Sequence, residues 1–67
     1  MEIEARFAER VKAERLARGW SQEELAHRAD MHRTFVSQIE RAVKTSTIRT
    51  VGKIARAFDV RPGSLID

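Results

Sequence analysis

The stretch from Ser21 to Arg41, SQEELAHRADMHRTFVSQIER, carries two short helical patterns separated by a turn. Ser21, followed three residues later by Glu24, fits a capping box that opens the first helix. Leu25, Ala26 and Ala29 then give that helix, from Gln22 to about Ala29, one apolar side. Asp30 and Met31 make the turn. The second helix runs from about Arg33 to Arg41, with Val36 and Ile39 facing a core. Thr34, Ser37, Gln38 and Arg41 recur at spacings of three and four and share the opposite face.

Working outward, the preceding segment reads as a helix from about Ile3 to Arg18. Ile3, Phe7 and Val11 repeat every four residues as an inward stripe, and Gly19 is a C-terminal stop. Arg15 continues that stripe and needs a partner, because an unpaired buried charge is very unfavourable. Glu40, beside Val36 and Ile39, is the natural one. After a polar loop, Ala42 to Ser46, a further helix starts near Thr47, a suitable N-cap, with Ile48, Val51, Ile54, Ala55 and Phe58 as its apolar face. Gly52 inside it costs roughly 1 kcal/mol relative to Ala, and its missing side chain allows close packing. Arg61 to Asp67 reads as a short fifth helix carrying Leu65 and Ile66, with Pro62 in its first turn. Trp20 reads as core. Phe35 points off the core direction and is a core flank, a ligand contact or part of an interface. No strand-like alternation occurs, so the expectation is one all-α domain over residues 1–67, built from four or five short helices.

Composition narrows the function. The chain has 67 residues and no cysteine, which removes disulfides and Cys-based zinc sites and fits an intracellular protein. His27 and His32 match no metal spacing. No apolar run approaches the roughly 20 residues of a membrane span, and the charged N-terminus is no signal peptide. There is no phosphate loop, and Ser37 has no Asp–His partner at a meaningful position, so an enzyme is disfavoured and no cofactor is expected. The net charge is +3, and Arg outnumbers Lys ten to three. Arg suits bidentate contacts to phosphate and guanine, although a GC-rich genome would also enrich it. A core this small favours stabilisation by oligomerisation. The apolar C-terminal end, Phe58, Val60, Leu65 and Ile66, is the candidate dimer surface.

Two helices joined by a tight turn, the second polar and basic on one face, have the layout of a helix-turn-helix. Its second helix enters the DNA major groove, N-terminal end towards the bases. Arg33 suits guanine O6 and N7, Gln38 suits adenine N6 and N7, and Thr34 suits a thymine methyl or a phosphate. Ser37 shares their face. Gln22, beside free backbone N–H groups, together with His32, Arg41 and Lys44, are candidates for phosphates. The bland alternative is a solvated polar face.

Residues 7–66 resemble the xenobiotic-response-element type of helix-turn-helix domain, also called the Cro/C1 type. The landmarks are Arg15, GWSQEELA (19–26), VSQIER (36–41) and IARAFDV (54–60). Within that family, HRTFVSQIER (32–41) is most similar to the controller proteins of restriction–modification systems. The resemblance implies a five-helix transcription regulator in the cytoplasm that binds operator DNA as a homodimer, with no small-molecule ligand. It implies Gln22 on phosphate, Arg33, Thr34, Ser37 and Gln38 on bases, and a buried Arg15–Glu40 pair. Two departures stand out: Ala42 replaces the usual Gly, and Thr45-Ser46-Thr47 replaces Asn-Pro-Ser. The competing reading is an antitoxin or adaptor of the same fold with a protein partner. The end at Asp67 disfavours it, because antitoxins generally need further surface or a tail.

Overall fold

The computed structural model describes residues 2–43 and 47–66. Among these, five helices and no strand occur: α1 (Ile3–Ala17), α2 (Gln22–Arg28), α3 (Arg33–Glu40), α4 (Ile48–Phe58) and α5 (Gly63–Ile66). The fold is the all-α five-helix arrangement that the sequence suggests. α2 packs on α3, and α1 packs against α3, α4 and α5. Phe7, Val11, Leu25, Val36, Ile39, Ile54, Phe58 and Leu65 form one core, with the half-buried Trp20, Met31 and Phe35 against it. Among the described residues, no buried side-chain polar atom lacks a partner.

The helix starts follow sequence chemistry. The Ser21 hydroxyl accepts the Glu24 N–H at 3.0 Å, and the Thr47 hydroxyl accepts the Thr50 N–H at 3.2 Å. Only half of the expected capping box forms, because the Glu24 carboxylate turns to Arg28 instead, at 2.6 Å. His32 caps α3, its Nδ1 accepting the Thr34 N–H at 3.1 Å.

The helix ends share a device that composition conceals. The N–H groups of Trp20, Met31, Val43 and Val60 reach back to the carbonyls of Arg15, Ala26, Gln38 and Ala55, five residues earlier. This is the Schellman closure, which needs a left-handed residue just before the reaching N–H. Glycine fills that place only once, as Gly19; Asp30, Ala42 and Asp59 fill the others at φ of 56°, 56° and 60°. Each left-handed residue is followed by an apolar one. Trp20, Met31 and Val60 then fold onto the core, whereas Val43 stays exposed.

Four expectations need correction. Ile3 is 55% exposed and leaves the stripe, its place taken by buried Ala8. A four-residue repeat drifts by roughly 40° per step on a helix of 3.6 residues per turn, so a stripe centred between Phe7 and Arg15 has rotated past Ile3. Ile48 is 91% exposed because its steps to Val51 and Ile54 are of three residues, each roughly 60° short of a full turn, and Thr50 is buried on that turn instead. Gly52 permits no close approach, since a Cβ built there meets nothing within 4 Å. Phe58 and Leu65 are 2% and 1% exposed within the single chain. They are core residues, occupied in closing α4 and α5 onto α1, and have no surface to offer a second subunit. Val60 and Ile66 keep part of theirs.

Candidate nucleic-acid interface

The α2–turn–α3 unit is fixed by two kinds of contact. Apolar packing of Leu25, Ala26 and Ala29 on Val36 and Ile39 sets the distance between the helices. Polar contacts set the orientation. Arg15 Nε donates to Glu40 Oε2 at 2.7 Å, and its NH2 group donates to Oε1 at 3.0 Å, a bidentate fork. The third arm, NH1, donates to the Trp20 carbonyl at 2.8 Å. The two side chains are 10% and 4% exposed, so this is a buried pair joining the end of α1 to the end of α3. Gln22 completes the cluster by donating from Nε2 to Glu40 Oε1 at 3.2 Å.

With Val36 and Ile39 held inward, the other side of α3 turns to solvent. Thr34 and Arg41 are exposed, and Ser37 and Gln38 are half-buried between them. Arg33 is exposed at the first position and lies about a quarter turn to one side of that face. The five candidate α3 residues are therefore brought together on one surface. The exposed His32 stands at its leading edge. With Nδ1 engaged as an acceptor, its neutral ring has Nε2–H left as a donor. Phe35, whose role the sequence leaves open, packs against the core. Lys44 lies outside the described residues. Ala42 takes up a left-handed conformation at φ 56°, which glycine reaches without strain and alanine does not.

Charge separates two stretches of the chain. Between Asp30 and Asp59 the only carboxylate is Glu40, buried and neutralised by Arg15. The side chains of Arg33, Arg41, Arg49, Lys53 and Arg56 have no hydrogen bond or ion pair among the described residues. This stretch therefore carries an excess of unpaired cations, a composition that suits a polyanion-binding protein.

A second group of interactions has no signal in the sequence pattern. Trp20 stacks on Phe58 with ring centroids 5.7 Å apart. The Arg28 guanidinium lies 4.3 Å from the Trp20 ring centre, and that of Arg18 lies 4.6 Å from that of Phe58. Arg18 also donates to the Phe58 carbonyl at 2.8 Å, closing the end of α4. These arginines are structural, and an arginine count cannot distinguish them from those on α3. Among the described residues, no group of three or more His, Asp or Glu is placed to hold a metal ion, and no helix is long and apolar enough to cross a membrane.

Comparison with known proteins agrees with this geometry. The family described as Helix-turn-helix matches residues 11–65. Control protein C.BamHI of Bacillus amyloliquefaciens is 39% identical over 62 residues, covering 91% of this chain and 76% of that protein. The crystal structure of the restriction-modification controller protein C.AhdI from Aeromonas hydrophila superposes with a TM-score of 0.89 at 32% identity, covering 92% of this chain and 94% of the other. The biofilm master regulator SinR, solved in complex with DNA, superposes with a TM-score of 0.85 at 32% identity, covering 91% and 98%.

Proposed function

Because this chain belongs to the Cro/C1-type helix-turn-helix family and is a DNA-binding regulator, we propose that it acts in the cytoplasm as a homodimer on a pseudo-palindromic operator controlling a restriction–modification operon. The observation that carries the reading is the outward face of α3. It gathers Arg33, Thr34, Ser37 and Gln38 beside cations that no carboxylate offsets. In this reading the exposed start of α3 enters the major groove, where Arg33 takes guanine and Gln38 takes adenine. Gln22, His32 and Arg41 hold phosphates and set the register, with Lys44 from the following loop.

Two-fold symmetry presents two such helices roughly 34 Å apart, one turn of the duplex, so the operator repeats with inverted halves. Val60 and Ile66 supply apolar surface for the second subunit. The controller assignment rests on the likeness to C.BamHI and C.AhdI. No small-molecule ligand or reaction is part of this function.

Titrating a palindromic duplex chosen from the promoter of the protein's own gene against a scrambled duplex, at fixed salt, tests the reading. A regulator of this kind binds the operator at least about 1,000-fold more tightly than the scramble. Equal affinity for both, or sedimentation showing only monomer with and without DNA at micromolar concentration, would overturn it.

A further inference from the structure

We propose that the buried Arg15–Glu40 pair is a positioning device for Gln22, holding its carboxamide in the orientation that donates to a DNA phosphate. The inference rests on the reading of α2 and α3 as the DNA-binding unit and adds a role that packing alone does not require. Glu40 is the last residue of α3 and Gln22 the first of α2. The bond of 3.2 Å between them therefore spans from the recognition helix to its neighbour.

The chemistry fixes which way the amide points. A carboxylate only accepts, so Gln22 must turn its nitrogen to Glu40; the flipped amide would set oxygen against oxygen. That nitrogen carries two hydrogens. One is committed to Glu40 Oε1, and the other is left for an acceptor outside the protein. A side chain ordered in advance loses less entropy on binding.

Arg15 makes the arrangement compatible with a phosphate. Glu40 alone would repel an anion at Gln22, and the bidentate fork at 2.7 and 3.0 Å cancels that charge. The same guanidinium holds the Trp20 carbonyl, two residues before Gln22, and so steadies the chain entering α2.

The test compares Gln22→Ala, the double variant Arg15→Met/Glu40→Leu, and the two combined, by operator titration at several salt concentrations. Replacing both members of a buried pair by apolar residues of similar volume is often neutral for folding, and the double variant keeps the net charge. Gln22→Ala should weaken binding to every duplex by about tenfold per half-site. The log–log salt slope should not change, because a neutral amide releases no counterion. The double variant should weaken binding to a similar extent, and adding Gln22→Ala to it should weaken binding no further.

A folded double variant that binds like the wild type, beside a weakened Gln22→Ala, would overturn the positioning role and leave the phosphate contact standing. Unchanged binding by Gln22→Ala would remove the phosphate contact, and the proposal with it. Should the double variant fail to fold, NMR of the wild type decides. The proposal expects the Gln22 side-chain amide protons to be protected from exchange, and exchange as fast as in free glutamine would overturn it.

Discussion

From Glu2 to Asp30 the arginines that hold the fold stand among carboxylates and rings: Arg15 on Glu40, Arg18 on Glu14 and Phe58, Arg28 on Glu24 and Trp20. From Met31 to Phe58 the cations among the described residues have no such partner. The two regions draw on the same residue type for opposite purposes. In the first, guanidinium groups are consumed in closing helix ends and joining elements. In the second they are left available. Net charge therefore conceals an uneven distribution along the chain, since the carboxylates that reduce it to +3 are gathered mostly before Met31.

The largest effect should come from breaking the one pair that crosses between the regions. Arg15→Met leaves Glu40 buried and uncompensated, and should lower stability by roughly 3–5 kcal/mol. A small domain has little more than that in reserve, so circular dichroism at 37 °C should show extensive unfolding. A melting curve identical to the wild type would mean that Glu40 finds water or another partner.

Two backbone changes sharpen the comparison at smaller scale. Ala42 sits at φ 56° without the polar side chain that helps Asp30 and Asp59 tolerate that region. Ala42→Gly should stabilise by about 1 kcal/mol. Gly52 lies in mid-helix with open space around a Cβ, so Gly52→Ala should gain about as much. In a domain of this size each should raise Tm by roughly 4–8 °C. A fall in Tm for Gly52→Ala would show that a second subunit covers that face of α4 in solution.

The smallest effect is expected at the exposed pair on α2. Arg28 and Glu24 are both nearly half exposed, and Arg28→Ala should change stability by no more than about 0.5–1 kcal/mol, most of it from removing the guanidinium that covers Trp20. A loss above about 2 kcal/mol, beyond what an exposed pair supplies, would give Arg28 a structural weight like that of Arg15.

Much of this is legible in the sequence, and the failures on the helix faces have one geometric origin. The Ser21 and Thr47 caps, the Arg15–Glu40 pair and the outward set on α3 follow from local chemistry and a period near 3.6. Ile3 and Ile48 fall outside their stripes because counting in fours, or in threes, ignores the rotation that accumulates along a helix of 3.6 residues per turn. Phe58 and Leu65 read as available for a partner because a pattern of apolar residues does not say whether the same chain covers them. The Gln22–Glu40 bond joins two residues that no short-range spacing connects. The left-handed helix ends at Asp30, Ala42 and Asp59 carry a readable signal, an apolar residue following each, but without glycine it is easy to pass over.

The central claim is that Arg33, at the start of α3, reads a base while Arg41, just past its end, holds backbone. Titrating Arg33→Ala and Arg41→Ala against the operator and its single-base variants, at two salt concentrations, tests it most directly. Arg33→Ala should weaken operator binding by roughly 1–3 kcal/mol per half-site and relax the preference at one base pair. Arg41→Ala should weaken all sequences alike and make the salt slope shallower by about 0.9 for each phosphate no longer neutralised. A uniform loss for Arg33→Ala, with every base preference intact, would contradict the claim by making Arg33 a phosphate ligand as well.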